Sequence, residues 1–214
     1  MTTILIVDDH TLMRDGLRRL LGDYDDMEVV GEAREGREAV RLIRQLQPDV
    51  VLLDLSLPGL DGLEVTKQIV AEGLKSRVLM LTMHANEEYA VRVLQAGARG
   101  FMVKDDPSDD VVEAVRKVAA GGTYLSPVLS QHLPRRFTRG REAQSPLDLL
   151  TDRELQVLKK FAEGHTTSQI AQELHLSVKT IDTHRARLLE KLGLHTTVDL
   201  IRFALRNRLI EDLW

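Results

Sequence analysis

The first 122 residues alternate between two periods of apolar placement. Short unbroken apolar runs recur at Ile4–Val7, Val29–Val30, Val50–Leu53, Val78–Leu81 and Gly100–Val103. A run with no polar position is the pattern of a strand covered on both faces in a parallel sheet. Between the runs, apolar residues return at helical spacing from Leu12 to Leu21, Gly36 to Leu46, Leu63 to Val70, Glu87 to Ala96 and Asp109 to Ala119. Five strand–helix units in alternation predict an α/β fold, a doubly wound parallel sheet of five strands with right-handed crossovers. The last helix carries its own start and stop. Asp106 is placed to cap it, Pro107 suits its first turn, Asp109 and Asp110 sit at its positive dipole end, and Gly121-Gly122 stops it.

After Gly122 the pattern changes. Periodicity weakens from Thr123 to Leu149, where Ser126-Pro127 can open a short helix through Leu133. Pro134 to Arg141 reads as an exposed basic linker, either a solvated tether or an arm whose arginines touch phosphate. From Leu150 to Ile210 the spacing is helical. Thr151-x-x-Glu154 and Thr166-x-x-Gln169 are capping boxes. Ser177 can cap a third helix to about Leu192, which Gly193 ends, and Thr196 can cap a fourth to about Asn207. Four helices with tight turns predict a small all-α helix-turn-helix bundle. The chain therefore divides into an α/β domain at 1–122, a linker at 123–149 and an all-α domain at 150–210.

Charge separates the halves further. The net of −4 combines 15 Lys/Arg against 22 Asp/Glu in residues 1–122 with 14 against 11 in residues 123–214. An acidic half joined to a basic half points to two tasks, the second suited to a polyanion. There is no Cys, which excludes disulfides and thiolate metal sites and fits a reducing cytoplasm. The early apolar run Ile4–Val7 is too short for a signal-peptide core or a membrane span, so the chain reads as cytoplasmic, without a membrane partner.

In an open parallel sheet, sites form beyond the carboxyl ends of the strands. Asp8 and Asp9 follow the first predicted strand, Asp54 ends the third, Thr82 ends the fourth and Lys104 follows the fifth. Each alone has an ordinary reading: Asp8 or Asp9 can cap the helix near Thr11, and a lysine after a strand is common. Together they place three carboxylates, a hydroxyl and an ammonium around one crevice. Clustered carboxylates repel and need a cation. A hard, oxygen-ligated ion such as Mg²⁺ meets that need. A carboxylate can also attack phosphorus, with the metal and Lys104 neutralising the phosphoryl oxygens.

The segments Leu5-Ile6-Val7-Asp8-Asp9-His10, Asp54-Leu55-Ser56-Leu57-Pro58-Gly59-Leu60-Asp61-Gly62, Leu81-Thr82 and Val103-Lys104 resemble a response-regulator receiver domain. The resemblance implies that Asp54 accepts phosphate from a histidine kinase. It implies Mg²⁺ held by Asp8, Asp9, Asp54 and the backbone carbonyl of Ser56, with Thr82 bonding the phosphoryl group and Lys104 pairing with its charge. In the family an aromatic ring three residues before the lysine follows the inward move of the threonine. Phe101 stands there without the hydroxyl of a tyrosine, so only the packing half of that switch is available, beside the plainer reading of a buried strand residue. Ser56 and His84 border the path of attacking water and are candidates for setting phosphoryl lifetime; His84 either orients that water or stands in solvent.

The second half resembles the LuxR-type helix-turn-helix of the NarL/FixJ family, through Leu150–Leu158, Glu163-Gly164, Ile170–Leu174, Ser177–His184 and Leu189-x-Lys191-Leu192-Gly193. In its third helix Val178, Ile181, Leu188, Leu189 and Leu192 form a stripe for the core, and Lys179, Asp182, Thr183, Ala186, Arg187 and Glu190 project outward. Such a helix enters the major groove of double-stranded DNA. Lys179, Thr180, His184 and Arg187 are the phosphate candidates. Asp182, Thr183 and Ala186 fall at base-facing positions by the resemblance. Asp182 departs from the basic or neutral residue usual there, and either accepts from a cytosine amino group or tilts away. The fourth helix, with Val198, Ile201, Ala204 and Leu205, implies a homodimer on activation, bound to two half-sites. Two rival readings are a phosphatase working through an aspartyl phosphate and a receiver working without phosphate. No substrate-binding cap insertion is visible for the first, and the intact acidic set argues against the second.

Overall fold

The computed structural model of the chain describes residues 1–83, 87–127, 130, 146–207 and 209–210, and it divides into units at 1–134 and 135–214. The first unit runs β1 (Thr2–Val7), α1 (Thr11–Gly22), β2 (Met27–Ala33), α2 (Gly36–Leu46), β3 (Val50–Asp54), α3 (Gly62–Ala71), β4 (Arg77–Thr82), α4 (Glu87–Gln95), β5 (Gly100–Val103), α5 (Ser108–Ala119) and β6 (Tyr124–Leu125). The strands lie in the order β2-β1-β3-β4-β5-β6, all parallel. Ile4–Val7 and Val50–Leu53 are wholly buried, as unbroken apolar runs in the middle of a two-faced sheet must be. The strand order reverses between β1 and β3, so their carboxyl ends flank a crevice.

Three expectations are corrected here. The sheet has six strands: Tyr124 pairs with Gly100 and Leu125 with Phe101, at positions assigned to the linker. Two residues show no period of their own, and the open edge of β5 makes them a strand. Asp106 does not cap α5. Pro107 takes the cap position, and the Asp106 carboxylate turns back to accept the Val103 N–H at 3.0 Å. Neither Asp8 nor Asp9 caps α1, because His10 holds that position without a side-chain cap and Asp8 accepts the His10 N–H at 2.8 Å instead. Ser130 N–H donates to the Ser126 carbonyl at 2.9 Å, one helical turn. The rest of the expected short helix, and the basic stretch Pro134 to Arg141, lie outside the described residues.

The second unit opens with a 3₁₀ turn at Pro146–Leu149, followed by α6 (Asp152–Ala162), α7 (Thr167–Glu173), α8 (Val178–Leu192) and α9 (Thr197–Arg206). The expected caps are all present. Thr151 with Glu154 and Thr166 with Gln169 close capping boxes, Ser177 accepts from Thr180 N–H, and Thr196 caps α9. Leu155, Leu158, Phe161, Ile170, Ile181, Leu188, Leu200 and Ala204 fill the core between the helices. Val178 departs from its expected inward stripe and is 46% exposed, since it is the first residue of α8 and overhangs the rim of that core. The tight turn between α7 and α8 requires a left-handed residue, supplied by His175 at φ 53°. Among the described residues, no helix is long and apolar enough to cross a membrane.

Candidate functional sites

The crevice at the ends of β1 and β3 gathers the predicted acidic set. The side chains of Asp8, Asp54 and Lys104 are 1%, 3% and 2% exposed. Lys104 Nζ lies 2.7 Å from Asp8 Oδ2 and 2.8 Å from Asp54 Oδ2. Asp54 Oδ1 accepts the Ser56 N–H at 3.1 Å, and Ser56 itself is exposed at the mouth. Asp9 is exposed, with Oδ1 2.9 Å from His10 Nδ1, which also stands 3.2 Å from Asp8 Oδ1. One ligand atom from each of Asp8, Asp9, His10 and Asp54 lies within 4.8 Å of the others. Thr82 is buried at the end of β4, where its carbonyl accepts the Lys104 N–H at 2.7 Å. Phe101 is wholly buried, paired in register with Met80 and Leu125. His84 lies outside the described residues.

Glycine lets the crevice close. A Cβ on Gly62 would stand 2.4 Å from the Asp54 carbonyl oxygen and 3.0 Å from Leu55 Cα, so α3 starts against the end of β3 only without a side chain. Asp61, one residue earlier, caps α3 in a reciprocal box with Glu64.

Burial raises the Asp54 carboxyl above its ordinary value and the charge of Asp8 adds to this, against the Lys104 ammonium and the Ser56 N–H. Burial alone would lower Lys104, yet the charges and hydrogen bonds of Asp54 and Asp8 outweigh it and raise it. The two shifts agree physically: two buried carboxylates share one ammonium. Counting Asp9, the crevice holds three negative groups against one positive. A hard divalent cation offsets that excess, and the clustered carboxylate oxygens are its preferred donors.

Sequence reasoning missed Arg14. Its side chain is 3% exposed, and Nη1 donates to the Asp8 carbonyl at 2.6 Å. The signal was present: Arg14, Leu17 and Leu21 share the buried stripe of α1, so a charged residue stood at an apolar position.

On α8, Lys179, Thr183, Ala186 and Arg187 are exposed, and Thr180, Asp182 and His184 are half-buried. Ser177, Lys179, Thr180, Thr183, His184 and Arg187 line a shallow polar depression of about 370 Å³. Asp182 pairs with Arg185 at 3.1 Å along its own helix. Burial, then the charge of Arg153, with Arg187 adding, lowers His184 below its ordinary value, which keeps the imidazole neutral at pH 7. Three further contacts fix the elements around α8. Arg153 Nη2 donates to the Leu174 carbonyl at 3.0 Å. Lys191 Nζ reaches the Leu149 carbonyl at 3.1 Å and the buried Glu154 Oε2 at 2.7 Å. Burial alone would raise Glu154, but Lys191 and the hydrogen bonds of Thr151 outweigh it and hold the carboxyl low. On α9, Val198 is 54% exposed while Leu200 and Ala204 are buried.

Residues 4–116 match the family described as the response regulator receiver domain, and residues 148–204 match the luxR family of bacterial regulatory proteins. The chain is 37% identical over 211 residues to the response regulator GacA of Pseudomonas aeruginosa, covering 99% of each. It is 39% identical over 214 residues to the oxygen regulatory protein NreC of Staphylococcus carnosus, covering 97% of this chain and 99% of that one. A solved structure of two RcsB dimers bound to two parallel DNAs is 26% identical, with a TM-score of 0.59 over 94% of this chain and 96% of that one.

Proposed function

This chain belongs to the response regulators that join a receiver domain to a LuxR-type DNA-binding domain, and from that premise we propose that a sensor histidine kinase controls its hold on DNA through Asp54. The observation that carries the reading is Lys104 Nζ seated between Asp8 and Asp54 at the carboxyl ends of the strands. A carboxylate oxygen of Asp54 attacks phosphorus, and the bond from phosphorus to the donor breaks. Lys104 and the Thr82 hydroxyl then face the phosphoryl oxygens. Asp8, Asp9, Asp54 and the backbone carbonyl of Ser56 would hold Mg²⁺, which supplies neutralising charge to the group in transfer. Phosphorylation adds negative charge and acceptor oxygens. Thr82 turns toward them and Phe101 fills the space it leaves. Ser56 and His84 set how long the phosphoryl group survives attack by water.

The output is DNA binding by α8 in the major groove. Lys179, Thr180 and Arg187 contact phosphates, and His184 does so as a neutral hydrogen-bonding group. Thr183 and Ala186 face base edges, while Asp182 is turned to Arg185. The exposed Val198 on α9 serves a homodimer spanning two half-sites.

The test is intact-mass spectrometry after incubation with an acyl phosphate, with and without Mg²⁺, wild type beside Asp54→Ala. One phosphoryl adduct that requires Mg²⁺ and vanishes in the variant is expected. No adduct from either an acyl phosphate or a phosphorylated kinase sinks the reading in favour of a receiver that works without phosphate.

A further inference from the structure

Arg14 is a buried cation that the phosphoryl chemistry above leaves unused. A guanidinium taken from water is costly unless its N–H groups meet acceptors. Here they meet three. Nη1 donates to the Asp8 carbonyl at 2.6 Å, Nη2 to Thr11 Oγ1 at 3.3 Å, and Nε lies 3.4 Å from Glu32 Oε2. Glu32 Oε1 is paired in turn with Arg18 at 2.9 Å, which ties α1 to β2.

The carbonyl it holds stands at a particular place. β1 ends at Val7, so Asp8 lies just past the sheet ladder. The Asp8 N–H still reaches back to the Ala33 carbonyl of β2 at 3.2 Å. The Asp8 carbonyl is taken by Arg14, where a buried carbonyl left unpaired would cost stability. Both peptide groups flanking the Asp8 Cα are thus anchored, which fixes its backbone dihedrals and the direction of its carboxylate. The Arg14 N–H also donates to the His10 carbonyl at 3.2 Å. That last bond is the first helical bond of α1 and needs no particular side chain; the guanidinium itself holds the loop carrying Asp8, Asp9 and His10 at its two ends, Asp8 and Thr11.

We propose that Arg14 is a positioning residue for the divalent-cation site: by clamping the Asp8–Thr11 loop it keeps the Asp8 and Asp9 carboxylates where the ion needs them. The inference rests on the reading of the acidic crevice given above. A lysine at 14 keeps the charge but lacks the planar fork that reaches carbonyl, hydroxyl and carboxylate together. If Arg14 only stabilised the fold, its loss would lower the melting temperature but leave ion binding by the folded protein unchanged.

Full-length wild type, Arg14→Lys and Glu32→Gln are titrated with Mg²⁺ by NMR, with thermal unfolding followed alongside. Arg14→Lys is expected to weaken Mg²⁺ binding by about tenfold, as loss of a group that orients metal ligands does. Adduct yield from an acyl phosphate should return to the wild-type level at saturating Mg²⁺, a shift in half-saturation and not in ceiling. Glu32→Gln should weaken Mg²⁺ binding in the same direction and by less. A folded Arg14→Lys protein whose Mg²⁺ affinity matches wild type overturns the proposal. If Arg14→Lys does not fold, an unchanged affinity in Glu32→Gln overturns it equally. Wild type that binds no Mg²⁺ overturns the crevice reading itself, a result distinct from either.

Discussion

The two units of this chain handle charge in opposite ways. The first hides it: Asp8, Asp54, Lys104 and Arg14 are each nearly inaccessible, and each leans on a specific neighbour. The second displays it: Lys179 and Arg187 stand exposed on α8, over a scaffold where the buried Glu154 is paired with Lys191 reaching in from the surface. Buried charges are coupled, so removing one disturbs the rest. Exposed charges act nearly independently and are screened by salt. Chemistry on a single atom calls for the first arrangement, and recognition of a long polyanion for the second.

The sharpest break between the units comes from Asp54→Ala. It should abolish the whole gain in DNA affinity produced by an acyl phosphate and Mg²⁺ while leaving unphosphorylated binding as it was, read by fluorescence anisotropy on operator DNA. A smaller effect follows from Lys191→Ala, which leaves the Glu154 carboxylate buried without its ammonium. We expect a loss of about 2–3 kcal/mol in the helical unit, seen as faster hydrogen exchange in α6 and α8 with the receiver amides unchanged. The same pair sets a pH dependence. The folded carboxyl of Glu154 is held low, so its stabilising contribution is complete above the unfolded value of about 4.3 and is lost as pH falls through the lower folded value. Unfolding measured from neutral pH downward should show that acid loss in wild type and a shallower one in Glu154→Gln.

Surface changes on α8 should be milder. Arg187→Ala should weaken binding alike across DNA sequences and reduce the slope of log affinity against log salt by about 1, which titrations at several salt concentrations measure. Asp182→Ala should do least. Removing a carboxylate beside phosphates and freeing Arg185 favours binding by less than about 1 kcal/mol at low salt, and weakened binding would mean that Asp182 reads a base.

Much of this was legible in the chain because local signals agreed with the final structure. Strands buried on both faces wrote themselves as Ile4–Val7 and Val50–Leu53, and each predicted helix start in the second unit carried a hydroxyl that does cap it. The crevice was legible because topology alone brings the carboxyl ends of β1, β3, β4 and β5 together. What escaped depends on tertiary geometry that no apolar period or spacing rule encodes. Tyr124–Leu125 is a strand only because β5 offers an edge. Asp106 can serve α5 or β5, and tertiary geometry chose β5. Arg14 breaks the stripe of α1 for the sake of a carbonyl in the loop that leads into it. Lys191 stands 37 residues from Glu154, and no spacing rule links them.

Gly62 limits how this chain can change over generations. It has no side chain with which to touch a substrate, yet any larger residue there collides with the carbonyl of Asp54 itself. Relief would come from parting α3 from β3, which shifts Asp54 away from Lys104. Drift among descendants is therefore blocked at a residue that performs no chemistry. An engineer moving β3 and its carboxylate into another scaffold must carry this glycine with it.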